Sequence, residues 1–127
     1  MTESTKGMTA EEAIRERITK AKEGKEKLWT QHENAQDDSS KQMFFLLYKE
    51  IAGHVDEAEA ILLLLKTDRM ALAKRVAEEL TIYRRGSRGL TAHERALAYD
   101  QLGHFMKRLK RGEIWSELES KSEEGVK

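Results

Sequence analysis

The sequence predicts an all-α fold: an antiparallel four-helix bundle-like single domain with long helices. Three observations carry that expectation. The chain has no proline and is rich in Ala, Glu, Lys, Leu and Arg, the residues that fit a helix best. Its apolar residues recur three and four apart rather than in alternation. Threonine- or serine-led capping boxes stand at three places suited to helix starts. A chain of 127 residues is enough for one core. The domain is expected over residues 9–119, between a flexible N-terminus (1–8) and a flexible, frayed C-terminal tail (120–127).

The first helix opens at Thr9-Ala10-Glu11-Glu12 and is expected to run to about residue 36. Glu11–Arg15, Glu16–Lys20 and Glu23–Lys27 lie at i, i+4 with the acid first. Each such pair contributes about 0.2–0.5 kcal/mol. The apolar stripe (Ile14, Ile18, Ala21, Leu28, Trp29) is thin and is interrupted by Lys25 and His32. This helix is therefore expected to cover a core edge or pair with a partner helix, not to anchor the fold.

The second helix is placed at 40–66, behind Ser39-Ser40-Lys41-Gln42. At 100° per residue, Met43 through Tyr48 cover every direction around the axis, and so do Ile61 through Leu65. Between these girdles lies a waist that is polar on one side: Glu50, Asp56, Glu57, Glu59. A helix apolar all round must be surrounded, so helix 2 is the expected central element.

The third helix, 68–85, starts at Asp68 and directs Ala73, Val76, Ala77, Leu80 and Tyr83 along one face. Arg84-Arg85-Gly86-Ser87-Arg88-Gly89 stops it, the glycines favouring a turn with positive φ. Thr91-Ala92-His93-Glu94 caps the fourth, 91–111, whose inward stripe is Ala98, Leu102, Phe105 and Leu109. A short segment, 113–119, follows.

The absence of cysteine excludes disulfides, thiol catalysis and cysteine-ligated zinc. The longest apolar run, Met43–Tyr48, is far short of the ~20 residues a membrane helix needs, and no signal peptide is legible. The expectation is a soluble, cytoplasmic protein without a membrane partner. No Gly-rich phosphate loop or nucleophile elbow is present, and no cofactor is expected.

Net charge is zero, but it is unevenly spread. Residues 1–65 carry nine Lys/Arg against thirteen Asp/Glu, 66–111 twelve against five, and 112–127 two against five. A polyanion or acidic protein surface would meet the middle segment. Antiparallel helices gather Arg84, Arg85, Arg88 and Arg95 at one pole, and Lys107, Arg108, Lys110 and Arg111 with Lys66 and Arg69 at the other. These are candidate contacts for phosphates or an acidic partner, although basic residues near helix C-termini also suit the dipole.

Two constellations invite chemistry. Glu50/His54 and Asp100/His104 each pair a carboxylate with an imidazole one turn apart, behind Gly53 and Gly103. Their wheel positions differ: His54 is expected to be partly buried and His104 to face outward. No metal site follows, and the glycines read as places of close helix contact or as merely tolerated, at about 1 kcal/mol each. Arg88 and His93 stand five positions apart, a spacing that resembles the Arg-x4-His motif of the HEPN ribonucleases, small all-helical proteins that dimerise over RNA. The resemblance implies metal-independent RNA cleavage, with Arg88 holding phosphate and His93 moving protons. It covers these two residues and the fold class, while Gly89 and Glu94 depart from the family pattern. His93 also reads simply as a solvent-facing member of the capping box.

Ile114, Trp115 and Leu118 would project away from Leu102 and Leu109 if helix 4 continued unbroken. Either Gly112 ends that helix and the segment folds back, or these residues, with Trp29, dock a partner. The expected function is a small non-enzymatic helical regulator or adaptor acting on another protein, foremost on itself as a homodimer through helix 2 or helix 1. The alternatives are a nucleic-acid-binding accessory protein contacting phosphates through the 66–111 basic residues, and a ribonuclease using Arg88 and His93.

Overall fold

The computed structural model describes residues 8–126, with side chains described through Ser120. The flexible segment expected at 1–8 therefore lies, Met8 apart, outside the described residues, as does Lys127. Five helices follow in order: α1 (Ala10–Asn34), α2 (Asp38–Lys66), α3 (Met70–Gly86), α4 (Ala92–Lys110) and α5 (Glu113–Val126). All are α-helical and they pack into a bundle-like fold.

Local chemistry explains most of the starts. The Thr9 hydroxyl accepts from the Glu12 amide at 3.1 Å and opens α1. At α4 the Thr91 hydroxyl accepts from the Glu94 amide at 3.1 Å, and the Glu94 carboxylate accepts from the Leu90 amide at 2.9 Å. The start of α2 differs from expectation. Asp37, not Ser39 or Ser40, is the cap: its carboxylate accepts from the Ser40 amide at 3.1 Å and suits the positive end of the helix dipole. Asp68 does not begin α3. Thr67 accepts from the Arg69 amide at 3.2 Å, and the helix starts at Met70 with no side-chain cap.

Two turns also differ. Neither Gly86 nor Gly89 has positive φ; among the described residues only Gly112 does, at 80°. Gly86 serves another need, since a Cβ there would sit 2.6 Å from the Ala98 Cβ where α3 meets α4. Gly112 ends α4 and turns the chain back. Residues 120–126, expected as a flexible tail, form the last turns of α5.

α1 packs closely on α2 alone, whereas α2 also meets α3 and α4, and α5 folds onto α3 and α4. Glu11 reaches Lys66 at one end of α1, and Trp29 lies against Tyr48 at the other, so α1 and α2 run antiparallel. The pairs Lys49–Asp100 and Lys110–Glu59 show that α4 runs parallel to α2. The main core is built by α2 to α5: Ala60, Leu72, Val76, Leu80, Tyr83, Leu102, Phe105, Met106 and Ile114.

The two girdles of α2 meet different fates. Ile61, Leu63 and Leu64 pack against that core. The other girdle outruns its cover. At 1.5 Å per residue, the 29 residues of α2 span about 43 Å and the 17 of α3 only about 26 Å. Tyr83, near the end of α3, lies against Gly53, well short of Met43–Tyr48. Met43, Phe45 and Leu47 are consequently exposed. Among the described residues no helix is long and apolar enough to cross a membrane.

Candidate functional site

Because α1 stands on α2 alone, α2 is left uncovered along two lines. On the first, Met43, Leu47, His54, Ile61 and Leu65 fall within about 40° of one another around the axis. Met43 is 51%, Leu47 40% and Leu65 55% exposed, high values for aliphatic side chains. A cleft of about 320 Å³ opens midway, lined by Ile14 and Arg17 of α1 and by His54, Glu57, Ala58 and Ile61 of α2. Partial burial is expected for His54, but its side chain is 55% exposed here, with Glu50 at 3.8 Å, since neither α1 nor α3 closes over this line.

The second line lies roughly opposite, between α1 and α4. A cleft of about 550 Å³ has Ile18, Leu62, Leu63, Met106 and Leu109 as its apolar lining. It shares Lys22, Glu59, Met106 and Lys110 with a second cleft of about 470 Å³ that extends to Phe45 and Tyr48. Asp56 and Glu59 of the polar waist enter this groove, while Glu50 and Glu57 stand on the first line. Burial, then the neighbouring Glu59 carboxylate, pushes the Asp56 carboxyl from 3.8 up to about 6, against the pull of Lys110, Lys25 and Lys107. The paired glycines act as expected for close contact: a Cβ on Gly53 would meet the Tyr99 ring at 2.8 Å, and one on Gly103 the Asp56 carboxylate at 3.3 Å.

At the tip of the α1–α2 hairpin, Trp29 stacks on His32 at 5.0 Å and tilts against Tyr48, and His32 tilts against Phe45. Trp29 remains substantially exposed. The other three candidate partner contacts follow the fold-back alternative read at Gly112 and lie in or against the core. Ile114 is 1% exposed and belongs to the main core, with Trp115 and Leu118 packed against it. The Arg69 guanidinium covers the Trp115 ring at 4.0 Å. The physical reason is Gly112, whose positive φ lets α5 turn back onto α3 and α4.

The basic residues gather at the two poles but most are engaged. Arg84 pairs with Glu57, Lys110 with Glu59, Arg111 with Glu113, and Arg108 with Glu113 and Glu117. Arg95 donates to the Gly89 carbonyl at 2.8 Å and so braces the α3–α4 turn. Arg85, Arg88 and Lys107 are exposed and enter none of the ion pairs among the described residues. Arg88 and His93 are both exposed on the surface of that turn and the start of α4. Asp100 is held by Lys49 at 3.0 Å, and His104 faces solvent as its wheel position requires. Among the described residues no three His, Asp or Glu side chains are placed to hold a metal ion.

No protein-family model, no curated protein and no solved structure matches this chain. The functional reading therefore stands on the geometry of α2 and its surroundings.

Proposed function

We propose that this protein is a helical protein–protein interaction module that acts as a homodimer, in the manner of a small regulator or adaptor. One observation carries the reading: a stripe of α2, exposed at Met43, Leu47, His54 and Leu65 and half-buried at Ile61, is symmetric about His54. Met43, Leu47, His54, Ile61 and Leu65 are spaced 4, 7, 7 and 4 residues apart. A second copy laid antiparallel across the first, with the two-fold axis at His54, sets Met43 against Leu65 and Leu47 against Ile61, twice over. Such self-complementarity is what an isologous contact requires. The spacing also matches the heptad recurrence of packed helix seams. Glu50 would face Ala58 of the second copy, so no like charges are opposed there.

The absence of cysteine gives a direct test. His54→Cys places a lone thiol at the proposed axis, where two copies come within disulfide reach. Mild oxidation should yield a covalent dimer. Met43→Cys alone should not cross-link to itself, but should cross-link with Leu65→Cys when the two variants are mixed. Leu47→Glu should return a monomer by sedimentation at micromolar concentration. A wild-type chain that is strictly monomeric there, or cross-linking at Met43→Cys as efficient as at His54→Cys, would refute this arrangement.

A further inference from the structure

We infer that the groove between α1 and α4, on the side of α2 away from the proposed dimer stripe, takes an acidic amphipathic helix from a partner protein. The inference deepens the interaction-module reading and uses a separate surface. The groove follows α2 from Phe45 to Lys66, about 32 Å at 1.5 Å per residue, enough for some five turns of helix. Its lining is mixed towards Tyr48, where Asp56 and Glu59 enter it, and apolar around Ile18, Leu62, Leu63, Met106 and Leu109. The apolar stretch suits a helix that lays an apolar face into a groove.

Charge selects the occupant. Both clefts together are lined by seven cationic side chains (Arg15, Lys22, Lys25, Lys49, Lys66, Lys107 and Lys110) and three carboxylates (Asp56, Glu59 and Asp100). Glu11 pairs with both Arg15 and Lys66, so in a chain of zero net charge the local excess is three positive charges. The lysines stand on both walls, Lys22 and Lys25 on α1 and Lys107 and Lys110 on α4; the Lys25 head lies over the Tyr48 ring and the Lys110 head pairs with Glu59. An incoming helix with an apolar stripe and glutamates on its flanks would meet the lysine heads on either side. A second copy seated by two-fold symmetry is disfavoured, because two lysine-rimmed grooves would face one another. Nor does another helix of this chain offer such a face: the apolar side of α5, Ile114 with Trp115 and Leu118, already lies in its own core.

The test uses the full-length protein and a designed, fluorescein-labelled peptide of about 18 residues, with leucines at i, i+3, i+4 and i+7 and glutamates beside them. Its lysine-for-glutamate counterpart and a scrambled sequence serve as comparisons. The glutamate peptide should bind saturably by fluorescence anisotropy, and weaken as salt rises to about 0.5 M. Lys22→Glu with Lys107→Glu, both exposed and outside the ion pairs described above, should weaken binding about tenfold while leaving the circular dichroism spectrum unchanged. Absence of saturable binding, equal binding of the lysine peptide, or unchanged affinity in the double variant would overturn the inference. Leu47→Glu separates the two readings: it should abolish dimerisation and leave peptide affinity intact. A dimer that ignores the peptide sinks only the groove, and a monomer that binds it sinks only the dimer.

Discussion

Asp56→Asn offers a measure of how far the α1–α4 groove excludes water. The folded chain raises the Asp56 carboxyl from 3.8 to about 6, chiefly through burial and secondly through Glu59. At 1.36 kcal/mol per pH unit, that rise corresponds to about 3 kcal/mol of penalty on the ionised form. The carboxyl is only partly buried, so solvent screening reduces the figure to roughly 1–2 kcal/mol. The sign follows from the direction. Folding disfavours the carboxylate, so the penalty is fully present above about pH 6, is relieved as pH falls, and vanishes below 3.8. Asparagine keeps the shape and removes the charge. Urea unfolding at fixed protein concentration should show Asp56→Asn more stable than wild type by roughly 1–2 kcal/mol near pH 8, with no difference near pH 4. A variant less stable at pH 8, or one with the same gain at both values, would mean that Asp56 is not held in a desolvated groove.

Two further perturbations test the packing. Gly86→Ala should destabilise by about 1–3 kcal/mol in the same assay, because its methyl would overlap Ala98 where α3 and α4 cross. Gly24→Ala, in the middle of α1 with nothing nearer than the Ile51 methyl at 3.9 Å, should instead stabilise by about 0.5–1 kcal/mol. Ile114→Ala should lower stability by about 2–5 kcal/mol and shift the thermal midpoint accordingly, as truncation of a fully buried side chain does. A change within experimental error would return Ile114 to the list of surface contacts.

What could be read from the sequence was mostly local. Thr9 and Thr91 announce their helices because a cap needs only a hydroxyl and an amide three residues on. The same locality misplaced the start of α2, where Asp37 and the two serines compete for one amide and the carboxylate, helped by the helix dipole, wins. Central placement of α2 was legible from its girdles. Which girdle would be covered was not, since that depends on where α3 stops relative to Gly53. The fate of Ile114, Trp115 and Leu118 hung on one backbone angle at Gly112, and residue periodicity cannot report a φ of 80°. The groove was hidden for a related reason. Its lysines come from α1, α2 and α4, and look like ordinary solvated charges until three helices are assembled around Asp56.

The attachment of α1 by one seam has a consequence for motion. Its contacts can loosen without disturbing the α2–α5 core, so its amides should exchange with solvent as a cooperative set, ahead of those in α3 and α4. Since the same helix forms one bank of both channels along α2, a small tilt of it widens one while narrowing the other.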